Sequence, residues 1–373
     1  MLGARVAIAR CAAYGEREVA DRIGELLSAL PVERDALRGK RVLVKPNLLA
    51  ARHPARGVTT HPSVVGAVID YMRDSGAAVS LGDSPGGAVR GVARVYDTTG
   101  MSALAASRGI ELVNFEAAGW QEREVDGAAY TVTSALRGFD LIVNTAKFKT
   151  HMLTLLTGAV KNTFGCVPGF HKSALHLKHP SPAAMSRAIV DVFSLVRPWL
   201  SIMDAVDSMD RNGPSSGRVL RTGLLGASFD AVALDSVFAA LIGLGPLRLP
   251  VLKEAYMRGL GEADPGFIEI AGGSLEEMRI DGFEVPSNAA FTLVPGVLGK
   301  ILRPFLWVRP RIEPDRCTGC RRCADMCPAG AISFSAGRGE VDRRKCTSCL
   351  CCHEACPEGA VEVEMSRMAR MVA

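Results

Sequence analysis

Two stretches near the end of the chain limit its fold more than any other feature. "RCTGCRRCADMCPAGAISF" begins at Arg316 and "KCTSCLCCHEACPEGAVEV" at Lys345. Cys317, Cys320, Cys323 and Cys327 precede Pro328, and Cys346, Cys349, Cys352 and Cys356 precede Pro357. Each cysteine of the first run recurs 29 positions later, as do Pro328, Gly330 and Ala331. That is an internal duplication. Nine of the 11 cysteines fall within residues 317–356. In a chain of 373 residues such crowding points to metal rather than to a disulfide scaffold.

The repeated C-x2-C-x2-C-x3-C-P pattern is the spacing of bacterial two-cluster ferredoxins. Two intervening residues let successive thiolates converge on one cubane, and the cysteine before the proline crosses to the other cluster. The expected ligand sets are therefore Cys317, Cys320, Cys323 and Cys356 for one [4Fe–4S] cluster, and Cys346, Cys349, Cys352 and Cys327 for the second. Cys-x2-Cys pairs also serve structural zinc, but three evenly spaced cysteines and a Cys-Pro, given twice, argue against it. Cys351 lies between two ligands and is expected to be a bystander. A unit of about 55 residues with so small an apolar core depends on its metal to fold.

The remainder reads as alternating strands and helices. "KRVLVKPNLL" (40–49), "AVSLGDSPGG" (78–87) and "FDLIVNTAKFKTH" (139–151) are strands with polar ends. "HPSVVGAVIDYMRDSGA" (61–77), "PAAMSRAIVDVFSLV" (182–196) and "DAVALDSVFAALIGL" (230–244) have helical spacing. The pattern predicts an α/β, three-layer domain with a mainly parallel sheet over residues 1–290. An interdomain segment over 291–309 and a small α+β ferredoxin-like domain over 310–366 follow.

In open α/β sheets, ligands lie beyond the carboxyl ends of the strands. There the sequence places Lys45 and Asn47; Asp83 and Ser84; Asn144, Lys147, Lys149 and His151; and Asp204 and Asp207. Between them, "LTGAVKNTFGCVPGFHKSALHLKH" (156–179) carries Lys161, Asn162, Lys172 and His176. Converging cations suit a small anionic substrate, and histidine suits proton transfer near neutrality. Lys147, Lys149, His151, Lys161 and His176 are the candidate catalytic residues. Lys45, Asn47, Asp83, Asn162 and Asp204 are the candidate substrate-binding residues. Asp204, Asp207 and Asp210 also offer three carboxylates to a cation, at a spacing that fits no EF-hand.

Other functions find little support. The net charge of +5 is too diffuse for nucleic acid. There is no Walker A sequence and no G-x-G-x-x-G after a strand. No uninterrupted apolar stretch reaches the roughly 18 residues of a spanning helix, and the N-terminus lacks a signal-peptide core. The expected location is the cytoplasm, away from membranes.

"VLVKPNLL", "TTHPSVVGAVIDYMRDSGA", "KFKTH", "TGAVKNTFGCVPGFHK", "DAVDSMDRNGPSSG" and "SFDAVALDSVFAALIGL" occur in that order. Together they resemble Domain of Unknown Function 362 over roughly residues 5–272. Members of that family often carry a C-terminal two-cluster ferredoxin unit, so the resemblance implies a redox role. A weaker likeness, to the nickel-pincer lactate racemase family, rests on "THPSVV", Lys161 with "VPG", and His176, and implies that Lys161 and His176 lie in a pocket. The leading expectation is an oxygen-sensitive reductase. It would take electrons from an external donor, pass them through two clusters, and deliver them to an anion in the α/β cleft. The alternatives are an electron-carrier or maturation protein docking a partner enzyme, and a non-redox isomerase with structural clusters.

Overall fold

The computed structural model describes residues 3–86, 91–288 and 307–372. A nine-stranded sheet forms its centre. In chain order the strands are β1 (Ala4–Arg10), β2 (Arg41–Pro46), β3 (Ala78–Asp83), β4 (Glu111–Asn114), the separate hairpin β5 (Trp120–Val125) and β6 (Ala128–Thr133), β7 (Leu141–His151), β8 (Leu155–Thr157), β9 (Leu200–Asp210), β10 (Arg218–Ser228) and β11 (Ile268–Ala271). The spatial order is β11-β1-β10-β9-β7-β2-β3-β4, with β8 added antiparallel to the end of β7. Five strands, β4, β3, β2, β7 and β9, pair in parallel. β10 runs against both its neighbours. The expected mainly parallel sheet is therefore present, with β8 and β10 reversed, the latter by way of the "NGP" turn after β9.

Alternation along the strands builds two cores, one on each face. Leu43 packs into one, while Val42 and Val44 pack into the other. Helices 16–29, 62–74, 92–98 and 101–108 cover the second face, and helices 159–162, 182–196, 231–241 and 250–257 the first. Local signals set their starts. The His61 ring accepts the Ser63 N–H at 3.2 Å ahead of Pro62, and Ser181 accepts the Ala184 N–H at 3.2 Å ahead of Pro182. Among the described residues no helix is long and apolar enough to cross a membrane.

The cysteine unit repeats in backbone as it does in sequence. β12 (Val308–Ile312) pairs antiparallel with β15 (Val361–Met365), and β13 (Ile332–Ser335) with β14 (Arg338–Val341). Left-handed conformations recur at equivalent positions, Gly319 with Ser348 and Arg321 with Leu350. Each run then enters a short helix, Arg322–Asp325 or Cys351–Ala355. Of the interdomain segment expected at 291–309, residues 291–306 lie outside the described residues, and Val308 and Arg309 belong to β12.

A short helix on the first face sets up the functional region. The Asp235 carboxylate accepts the Ala159 N–H at 2.6 Å and the Val160 N–H at 2.9 Å, which starts the turn carrying Lys161 and Asn162. Gly158 stands directly against that carboxylate, and a Cβ there would overlap it. Gly158→Ala is expected to destabilise the fold by about 1–3 kcal/mol, the usual cost of overpacking. This is read as a lower urea midpoint, and an unchanged midpoint would refute the packing.

Candidate functional site

Cys317, Cys320, Cys323 and Cys356 line one cavity in the cysteine unit. The charge of Cys356 acts on Cys323 together with those of Cys320 and Cys317. Cys327 acts on Cys346 and on Cys352, which also feels Cys349 and Cys346 and, from the first set, Cys323. The fourth cysteine of each run thus stands with the first three of the other. The halves also share a hydrogen bond: the Ala331 N–H donates to Cys327 Sγ at 3.2 Å and the Ala360 N–H to Cys356 Sγ at 3.2 Å. Soft thiolates, N–H groups turned to sulfur and left-handed turns in the binding loops are what an iron–sulfur cluster needs. Among the described residues no three His, Cys, Asp or Glu side chains stand close enough to grip a single metal ion.

A second cavity, of about 80 Å³, opens where the cysteine unit meets the sheet. Asn47 follows β2, and Asp83 and Ser84 end β3. Lys161 and Asn162 come from the short helix, and Lys172 and His176 from helix Phe170–Lys178. Met326, Cys351, Glu354 and Ala355 come from the cysteine unit. Glu354 sits between Cys352 and Cys356 and reaches across the joint. His151 Nδ1 accepts the Leu153 and Thr154 N–H groups at 3.1 and 3.3 Å. The imidazole proton therefore lies on Nε2, which donates to Glu354 Oε1 at 2.8 Å. Burial and neighbouring Lys161 push His151 down to about 4, so it stays neutral. Burial alone would raise Glu354, but His151 and Lys161 hold it well below the usual carboxylate range.

Two other cavity residues keep groups unpaired. The Lys161 ammonium makes no hydrogen bond or ion pair among the described residues. Burial lowers its pKa, against the opposing charges of Glu354 and Cys351. His176 is 5% exposed and packs edge-on to Phe164, and its Nδ1 has no partner. Burial lowers its pKa as well.

Several of the expected residues lie behind the cavity wall. Lys45 is buried and pairs with Asp83 Oδ1 at 2.7 Å. Lys149 starts a directed chain of amides: it donates to Asn47 Oδ1 at 2.8 Å, Asn47 Nδ2 donates to Asn162 Oδ1 at 2.8 Å, and Asn162 Nδ2 donates to Asn144 Oδ1 at 2.7 Å. The chain fixes the two asparagines that face the cavity. Lys147 lies apart from it. Its ammonium meets Asp204 Oδ2 at 2.9 Å and the Tyr14 hydroxyl at 2.7 Å, within a cluster completed by His61, which stacks on Tyr14. Asp204 therefore pairs inside the protein and does not line the cavity. The three carboxylates offered to a cation do not form a site: Asp204 pairs with Lys147, Asp207 with Arg221 and Asp210 with Arg218.

Lys172, Cys351 and Glu354 line the cavity without having been among the candidate catalytic or binding residues. Lys172 donates to the carbonyl and hydroxyl of Ser84. Cys351, expected as a bystander, lines the cavity. Glu354 had no distinguishing signal in the sequence: its counterpart in the first run, Asp325, is also acidic, and the structure separates them, leaving Asp325 exposed and Glu354 partly buried. Equal chemistry in unequal surroundings marks the half that docks.

Residues 42–240, over half the chain, match the family described as domain of unknown function DUF362. Residues 309–357 match the 4Fe-4S dicluster domain. A thylakoid-associated protein of Synechocystis sp. is 34% identical over 224 residues, covering 60% of this chain and 69% of that protein. The lactate racemase apoprotein of Thermoanaerobacterium thermosaccharolyticum superposes with a TM-score of 0.44 at 13% identity, over 63% of this chain and 56% of that one.

Lys172 gives a test of the buried cavity wall. Burial brings its pKa from 10.5 to about 8. Between these values the folded chain binds fewer protons than the unfolded one, so this group's destabilisation is full below about pH 8 and is relieved as pH climbs. Urea midpoints measured across that window should rise with pH, and Lys172→Met should flatten the rise. An identical slope in the variant would contradict the burial.

Proposed function

The chain belongs to the family described as domain of unknown function DUF362, and on that footing we propose an iron–sulfur oxidoreductase that reduces a small anionic substrate in the cavity beside helix Cys351–Ala355. One observation carries the reading. The cavity that holds Lys161, without a hydrogen bond or ion pair among the described residues, and His176, whose Nδ1 has no partner, is walled by Cys351 and Glu354, on the helix that also bears Cys352.

Two bound [4Fe–4S] clusters, held by the two interleaved cysteine sets, supply single electrons. The chain's own residues supply the rest. Lys161 meets the anion, because among the described residues its ammonium has no hydrogen bond or ion pair, and Lys172 adds a second positive charge to the lining. Asn47 and Asn162, oriented by the amide chain from Lys149, shape the polar wall. His176 is neutral near physiological pH and can give or accept a proton in the cavity. His151 holds Glu354, which keeps the cysteine unit seated on the cleft and offsets the Lys161 charge when no anion is bound. An external donor charges the clusters.

The test is stopped-flow reoxidation of the anaerobically reduced protein by unsaturated carboxylic acids, followed through cluster absorbance. With an acid that reoxidises the parent, Lys161→Ala and His176→Ala should each slow the reaction by about 100-fold or more. Variants as fast as the parent would overturn the site assignment.

A further inference from the structure

A third cavity, of about 320 Å³, lies on another side of the same joint and shares no lining residue with the cleft. Arg52 and Arg56 enter it from the loop after β2, Ser216 from the turn between β9 and β10, and Arg316, Glu358 and Gly359 from the cysteine unit. Arg52 is the residue that calls for a ligand. Its side chain is only 6% exposed. Nη2 donates to the Cys356 carbonyl at 2.9 Å, while Nε has no partner. Ser216 Oγ is also buried and unpartnered. The bonded end of the Arg52 guanidinium and the Ser216 hydroxyl both approach Gly359, where a Cβ would lie 3.1 Å from Arg52 Nη2 and 3.2 Å from Ser216 Oγ.

The charge balance is one-sided. Among the described residues neither Arg52 nor Arg56 has a carboxylate at ion-pair distance, and Arg316 is paired with Glu362. Glu358 is the one carboxylate in the lining. A guanidinium cannot relieve this by losing its proton at ordinary pH. Two arginines and a hydroxyl, all with donors to offer, match a tetrahedral dianion better than a single carboxylate. The volume admits more than a bare ion. We propose that this cavity binds a phosphate-bearing small molecule through Arg52, Arg56 and Ser216. The anion would sit beside the backbone of a cluster ligand, because Arg52 also holds the Cys356 carbonyl. Added negative charge there disfavours the reduced cluster, so occupancy lowers that cluster's midpoint potential.

The test is calorimetric titration of the full, cluster-loaded chain under anaerobic conditions with inorganic phosphate, pyrophosphate and glycerol 3-phosphate. Saturable one-site binding is expected. Arg56→Gln and Ser216→Val leave the Arg52 contact with Cys356 in place, and Arg56→Gln should weaken binding about tenfold or more. Lys161→Ala should leave it unchanged. Tighter binding of glycerol 3-phosphate than of phosphate would support the site with an organic phosphate as its ligand, and tighter binding of pyrophosphate would support it with a diphosphate group as the ligand. Equal binding would support it with the free ion as ligand. Absence of saturable binding, equal affinity in Arg56→Gln, or loss in Lys161→Ala would overturn it. Potentiometric titration followed by electron paramagnetic resonance should show the midpoint move to more negative values with saturating phosphate in the parent. A midpoint that does not move would overturn the link to Cys356.

Discussion

The crossing of Cys327 and Cys356 between the two cysteine sets is the constraint on which the joint depends. Because Cys356 stands with the first run and Cys352 with the second, the short helix between them is anchored at both ends to different groups. A helix so held has little freedom to rotate. The residue midway along it, Glu354, is therefore presented in one direction, toward His151 and Lys161 on the sheet. A metal-binding rhythm in the sequence thus fixes where a carboxylate enters a cleft far away in the chain.

The sheet meets that carboxylate with an ordered set of charges. Lysines removed from water persist when carboxylates or carbonyls satisfy them. Lys45 has Asp83, Lys147 has Asp204, and Lys149 has Asn47 and the Val58 carbonyl. These pairings stiffen the strand ends and leave Lys161 as the cleft cation with capacity for an outside anion. The same logic at the other side of the joint leaves Arg52 and Ser216 with unmet donors. Both cavities border the cysteine unit, and each exists because that unit docks where it does.

How far the sequence reveals this varies with range. The cysteine spacing is local, and so were the strands around Val42–Val44 and the helix 182–196, whose caps and periodicity lie within a few residues. Lys161 and His176 could be read as pocket residues because the turns bearing them are rich in glycine and histidine. Lys147 and Asp204 looked equally suited, since both lie at strand ends. Only the parallel pairing of β7 with β9, which sets Lys147 opposite Asp204, shows that they meet each other. Glu354 is the converse case. Nothing near it in sequence says that it leaves its own unit, and the contrast with Asp325 becomes informative once docking is known. The antiparallel β10 was also hidden, because strand direction depends on long-range pairing that periodicity does not encode.

The most direct measurement is metal and sulfide analysis of anaerobically purified full-length protein, with electron paramagnetic resonance of the reduced form. The account predicts about eight irons and eight acid-labile sulfides per chain, no zinc, and a spectrum of two interacting reduced clusters. About four irons per chain, or zinc in place of iron, would contradict it.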